Sequence, residues 1–212
     1  LATFGKSMAN GMPISALVGK KEYMKVVEDI FYSFTFGGEA LSISAALATI
    51  KEMEEKNVID FLKEKGTRIE TEVNELAKKH GIFEWVSLFG HPTWTLFNIK
   101  DHPKGSHTLI ESYIQQEAIQ RGFLWEASHN VSFSFTDEIV DSLVAMYDEV
   151  FANLKSHLDA DDLEDQLIGG TVSSIFKVRA KAEPREEYTA PSGIEENEEV
   201  DTLEQNVESA RE

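Results

Sequence analysis

The sequence predicts an α/β chain whose later part is a compact α+β unit, and three observations carry that prediction. Segments with helical apolar spacing alternate with short β-branched and aromatic runs over residues 1–158. Glycines stand where the helices should stop. A hydrophobic content of 42% over 212 residues is enough to form a core.

The first elements follow from these patterns. In FGKSMANGMPISALVG, Lys6 sits on a glycine-containing loop leading into a buried strand within MPISALVG. Residues 21–29 read as a short surface helix. In FYSFTFGGEALSISAALATIKEMEEK the first half is loop-like as far as Gly37 and Gly38, and the second half has Ala, Leu and Ile on nearly every side, as in a helix buried all round. A further helix spans Val58 to about His80, with Leu62, Ile69, Val73, Leu76 and Ala77 on one stripe and Gly81 as its stop.

Character changes after Gly81. IFEWVSLFG and TWTLFNIK predict two strands joined by a turn at Gly90, His91 and Pro92. A helix from His107 to Arg121 is capped by Ser106 and stopped by Gly122, and FLW and VSFSF read as two more strands. Thr136 caps a last helix, with Asp137 and Glu138 complementing its dipole and Ile139, Leu143, Tyr147, Val150 and Leu154 facing inward. Trp85, Trp94 and Trp125 are expected in the core. From Asp159 onward there are 16 acidic residues against five basic ones. There TVSSIFKVR could pair as one strand, while the remainder has too little apolar content to offset its ordering entropy and is expected to be a disordered acidic tail.

Charge and composition exclude several functions. A formal net charge of −18 argues against a basic footprint for nucleic acid or an anionic membrane. The absence of cysteine removes disulfide and thiolate-metal chemistry, and the six histidines show no paired ligand spacing, so no metal site is expected. With no apolar run near 18 residues and no signal pattern, a soluble cytoplasmic protein is expected. The chain has no initiator Met and opens on what reads as mid-domain sequence, so a fragment is expected.

Lys6 is the residue on which a functional reading turns. Gly5-Lys6-Ser7 looks like the end of a nucleotide phosphate loop, but that motif needs a helix immediately afterwards, and Asn10, Gly11 and Pro13 argue against one. An ordinary loop lysine and a reactive lysine remain. Asp, His and Ser are all present, yet nothing resembles a nucleophile elbow.

LATFGKSMANGMPISALVG resembles the Schiff-base lysine segment of class III aminotransferases, the pyridoxal-phosphate enzymes that include glutamate-1-semialdehyde aminomutase. SFTFGGEALSISAALATI is similar to the family's Thr-x-x-Gly-x-x-Leu segment, at a fitting distance. ASHNVSFSFTDEIVDSLVAMYDEVF resembles the end of the small domain in the semialdehyde-aminomutase-like branch. The resemblance covers roughly residues 1–157. It implies the C-terminal part of a fold-type-I transferase: the end of the large domain and linking helices over 1–80, a small α+β domain over 81–158, and the acidic tail over 159–212. It also implies pyridoxal 5'-phosphate as cofactor and Lys6 as the catalytic and cofactor-binding lysine. Thr35 would reach the phosphate of the neighbouring subunit's cofactor, and hence the protein would be a homodimer.

The chemistry suits these residue types. A primary amine can condense with an aldehyde and then carry a proton, whereas arginine stays protonated and is no nucleophile. Thr35 offers a hydroxyl donor to a dianionic phosphate, and Gly37 and Gly38 let the backbone approach. Glu39-Ala40 departs from the Asn-Pro of many relatives. The family's phosphate-binding helix, ring-stacking aromatic and pyridine-nitrogen aspartate belong upstream of Leu1. The chain is therefore expected to need its upstream part, the alternative being a degenerate piece that keeps only a dimerisation or binding role. Between Gly122 and Thr136 there is no Arg or Lys to hold an α-carboxylate; Glu126, His129 and Asn130 are the polar groups. A carboxylate at Glu126 suits an amine or hydroxyl, unless it merely caps a turn. A semialdehyde-type, ω-amino or amino-sugar-like substrate follows, with Glu126 and His129 as its contacts.

Overall fold

The computed structural model describes residues 1–31 and 33–172. Their elements are β1 (Ala2–Phe4), β2 (Ala16–Val18), α1 (Lys21–Met24), α2 (Ala40–Glu55), α3 (Val58–Lys79), β3 (Val86–His91), β4 (Trp94–Ile99), α4 (His107–Gln120), β5 (Ser128–Asn130) and α5 (Asp137–Ala160). Short 3₁₀ turns occur at Lys6–Ala9, Lys25–Glu28 and Glu164–Gln166. The expected TVSSIFKVR strand and acidic tail lie outside the described residues from Ser173 onward.

The core forms where α3, α4 and α5 pack against the antiparallel sheet β3-β4-β5. Ile69, Val73 and Ala77 of α3 are buried as their spacing predicts, with Leu62 and Leu76 at the margin. Both glycine stops act through the same motif. Gly81 (φ 70°) donates to Lys78 while Ile82 donates to the Ala77 carbonyl, and Gly122 (φ 87°) donates to Ile119 while Phe123 donates to Ala118. Ser106 and Thr136 cap α4 and α5 as expected, accepting from Leu109 and Ile139.

Two devices join α3 to the sheet. The Asn74 side chain donates to the Leu88 carbonyl at 3.0 Å and accepts from the Leu88 amide at 2.8 Å, so it pairs with the outer edge of β3 as a neighbouring strand would. Two turns earlier, a Cβ at Gly66 would lie 1.6 Å from the Pro92 carbonyl oxygen, so only glycine permits the hairpin tip to touch the helix. The hairpin itself closes one step later than its composition predicts: Gly90 is paired with Thr95, His91 with Trp94, and Pro92-Thr93 form the loop.

Several expectations are corrected. Neither FLW nor VSFSF is a strand; the third strand is Ser128–Asn130 between them, because these are the residues in register with Trp94, Thr95 and Leu96. Strand β3 begins at Val86, since Ile82–Trp85 turn off the end of α3. Trp94 is 56% exposed at the hairpin end, unlike Trp125 in the core. Ile139 is also exposed, and Val140 takes the inward position because the α5 stripe is rotated by one residue at its start. The strand within MPISALVG shrinks to β2, which among the described residues pairs only with β1 and leaves Leu17 and Val18 exposed. The 21–29 helix is one α turn continued as a 3₁₀ turn. Helix α2 is not buried all round: only Ser42 and Ala46 are covered, because the Lys6–Ala9 turn and α3 are its principal neighbours here, and Leu47 is 65% exposed. Beyond α5 the chain stays docked: Leu163 is fully buried, Leu167 packs at the core margin, and Ile168 and Val172 donate to the Gln116 and Ser112 side chains of α4.

Candidate functional site

Lys6 opens the 3₁₀ turn between β1 and β2, exposed and at φ 49°. A side chain with a Cβ pays for the left-handed region at about 1 kcal/mol, so the turn imposes this conformation on Lys6. Ala9 at the far end of the turn is buried, and the turn rests against α2. Thr35 lies in the exposed turn that precedes α2, where Gly37 donates to Phe34 and Glu39 to Phe36. The Lys6 amine, the Thr35 hydroxyl and the Gly38 amide have no hydrogen-bond partner among the described residues, and a Cβ at Gly38 would meet nothing.

Glu39, the departure from Asn-Pro, has a local role that the sequence reading missed. Its carboxylate accepts from the Leu41 and Ser42 amides at 2.7 Å each, capping α2. Bonding from Ser42 holds its pKa below the usual carboxylate range. An acidic residue directly before an apolar helical run was the available signal.

Glu126 and His129 lie on either side of a bend with different fates. Glu126 is exposed at the rim of a cleft of about 520 Å³ lined by α4, α5 and the 123–130 segment, and its carboxylate has no partner among the described residues. Ile119, Phe135 and Ile139 supply apolar wall, and Leu124 stands 96% exposed beside it. His129, expected beside Glu126 at the substrate, lines the inner wall of the same cleft with its ring packed into the core. It is buried, with Nδ1 3.0 Å from the Thr95 hydroxyl and Nε2 2.8 Å from the Tyr147 hydroxyl.

Hydrogen-bond accounting assigns the protons. The Trp125 indole donates to the Tyr147 oxygen at 2.7 Å, so the phenolic proton goes to His129 Nε2, its remaining partner. His129 is then the Nδ1–H tautomer, donating to Thr95 Oγ1. Burial lowers its pKa to about 4 and pushes the Tyr147 phenol far above its ordinary value, so both stay neutral near pH 7. No cluster of His, Asp or Glu among the described residues could hold a metal.

A family model for class-III aminotransferases matches residues 1–138, which include the Lys6 turn, the Thr35 turn, the sheet and the cleft segment. The chain belongs to the class III aminotransferase family. Among relatives of this class III chain, the 3-aminobutyryl-CoA aminotransferase of Cloacimonas acidaminovorans is 32% identical over 161 residues, 74% of this chain and 38% of that protein. A glutamate-1-semialdehyde 2,1-aminomutase of Methanocaldococcus jannaschii is 27% identical over 167 residues, 73% of this chain and 39% of that one. The chain thus spans under two fifths of the length of these relatives. In fold it is similar to the PLP internal aldimine form of the FumI protein from Sphingopyxis sp. MTA144, with a TM-score of 0.64 at 22% identity over 74% of this chain and 37% of that one. Among the described residues, no helix of this family member is long and apolar enough to cross a membrane.

Proposed function

We propose that this chain contributes the lysine and the C-terminal α+β portion of a homodimeric, pyridoxal-phosphate-dependent amino-transferring enzyme, and that activity requires the remaining part of a longer polypeptide. The observation that carries the proposal is the Lys6 turn: an unpartnered primary amine held in a left-handed conformation against the helix that Thr35 precedes. The donor set fits the cofactor. Lys6 would bind the aldehyde carbon, while the Thr35 hydroxyl and the Gly38 amide would donate to phosphate oxygens. When bound, pyridoxal phosphate supplies the aldehyde and a ring that draws electron density from the substrate's amino-bearing carbon.

The chain's own residues do the rest. Nζ of Lys6 would take the proton from that carbon and carry it to the carbon that bore the aldehyde, both within the sweep of its flexible four-carbon stem. Exposed Phe31, Phe36, Leu41 and Leu47 beside the Thr35 turn fit a subunit interface, which supports Thr35 acting on the partner's site. Glu126 orients an amino or hydroxyl group at the far end of the substrate, which disfavours simple α-amino acids.

Mixing Lys6→Ala and Thr35→Ala forms of the full-length polypeptide tests the arrangement. With Thr35 acting across the interface, each hybrid dimer carries one intact site and one with both lesions, and activity rises above that of either parent. Hybrids no more active than the Thr35→Ala homodimer would reject the reading.

A further inference from the structure

The segment 125–130 is fixed from beneath at every residue except Glu126. The Trp125 carbonyl accepts from the Gln115 side chain at 3.0 Å, and its indole is locked to Tyr147. The Ala127 carbonyl accepts from the Phe97 amide at 2.9 Å. His129 is clamped between Thr95 and Tyr147. Between these anchors, Ala127 is held at φ 50°, a conformation that costs a residue with a Cβ about 1 kcal/mol. Such strain persists only where the surroundings over-determine it, and here it sits next to the one carboxylate that faces the cleft without a partner.

We propose that Tyr147 and His129 are positioning residues, which with the strained Ala127 fix the Glu126 carboxylate at the cleft mouth and thereby set the preference for an amine-bearing substrate. The inference rests on the reading of Glu126 as the substrate-orienting group. Tyr147 is the hub, because its oxygen accepts from Trp125 on one side of Glu126 and donates to His129 on the other. The two backbone flanks of Glu126 are thus tied to a single point on α5. Tyr147 is buried behind the cleft wall, and His129, which lines that wall, has both ring nitrogens engaged by Thr95 and Tyr147 and acts through the backbone it anchors.

The test uses the full-length, cofactor-loaded polypeptide with cadaverine and alanine as amino donors, in a mutant cycle of Glu126→Gln with Tyr147→Phe and with Ala127→Gly. The glycine variant relaxes the strained turn without opening the core, so it stays folded where the tyrosine variant could be weakened. On this account Glu126→Gln lowers the cadaverine-to-alanine ratio of kcat/KM about tenfold or more, as expected for losing a charged contact. Tyr147→Phe and Ala127→Gly each raise KM for cadaverine about three- to tenfold with kcat and cofactor affinity unchanged, and neither adds a further effect once Glu126 is Gln. Effects that add in full to Glu126→Gln, or that fall equally on alanine, overturn the inference and leave the Glu126 reading standing. Glu126→Gln without effect, or no turnover of cadaverine, overturns that reading and this inference with it.

Discussion

Residues 1–55 and residues 58–172 are both rich in apolar side chains, yet only the second region buries them. Among the described residues of the first region only Ala9, Ser42 and Ala46 are buried, while Phe31, Phe36, Leu41 and Leu47 are exposed. In the second, three helices and a sheet enclose a continuous core from Ile69 to Leu163. The groups proposed for chemistry, Lys6 and Thr35, belong to the open region. The buried polar network of Trp125, Tyr147, His129 and Thr95 belongs to the closed one. The contrast teaches that an apolar pattern fixes what a helix can bury, while the partner that buries it is a separate matter.

The sharpest way to break the contrast is to attack the closed region at its tightest point. Gly66→Ala places a methyl carbon on the Pro92 carbonyl, and the backbone on both sides must move. Denaturant unfolding should show a loss of about 3 kcal/mol or more. A change under about 1 kcal/mol would mean that the hairpin tip does not rest on α3.

A comparable effect follows from pH. Burial depresses the folded pKa of His129 to about 4, below the ordinary value near 6.5, so the unfolded chain takes up the proton first. Stability from this group is therefore complete above pH 6.5, falls as pH drops from 6.5 to 4, and levels below 4, a loss on the order of 3 kcal/mol. His102 is lowered by burial as well, so the comparison is with His129→Gln, in which the slope between pH 6.5 and 4 should be markedly reduced. An unchanged slope would place His129 in water.

The smallest expected effect sharpens the contrast from the open side. Because Lys6 has no partner and a positive φ, Lys6→Gly should leave melting unchanged or raise stability by up to about 1 kcal/mol while abolishing amino transfer by the full-length polypeptide. A clear loss of stability would assign Lys6 a structural role instead.

Local signals in the sequence were faithful where the physics is local. Gly81, Gly122, Ser106 and Thr136 mark helix ends because a left-handed glycine or a side-chain oxygen satisfies groups within a few residues. The same holds for the two family blocks, whose loop positions at Lys6 and Thr35 were legible. What the sequence left hidden depends on distant partners. FLW and VSFSF have strand composition, but pairing with β4 selects the polar Ser128–Asn130 between them. His129 reads as an available polar group until Thr95 and Tyr147, from two other elements, close on its ring. Ala127 gives no sign of its positive φ, since Phe97 imposes it from the neighbouring strand.

The central claim is that Lys6 is the cofactor-bearing amine, and covalent capture tests it most directly. The full-length polypeptide would be loaded with pyridoxal phosphate, reduced with borohydride and mapped by peptide mass spectrometry. The account predicts the added mass on Lys6 and on no other lysine. An adduct on Lys20, Lys21 or any other lysine, or a reduced protein with no adduct at all, would contradict it.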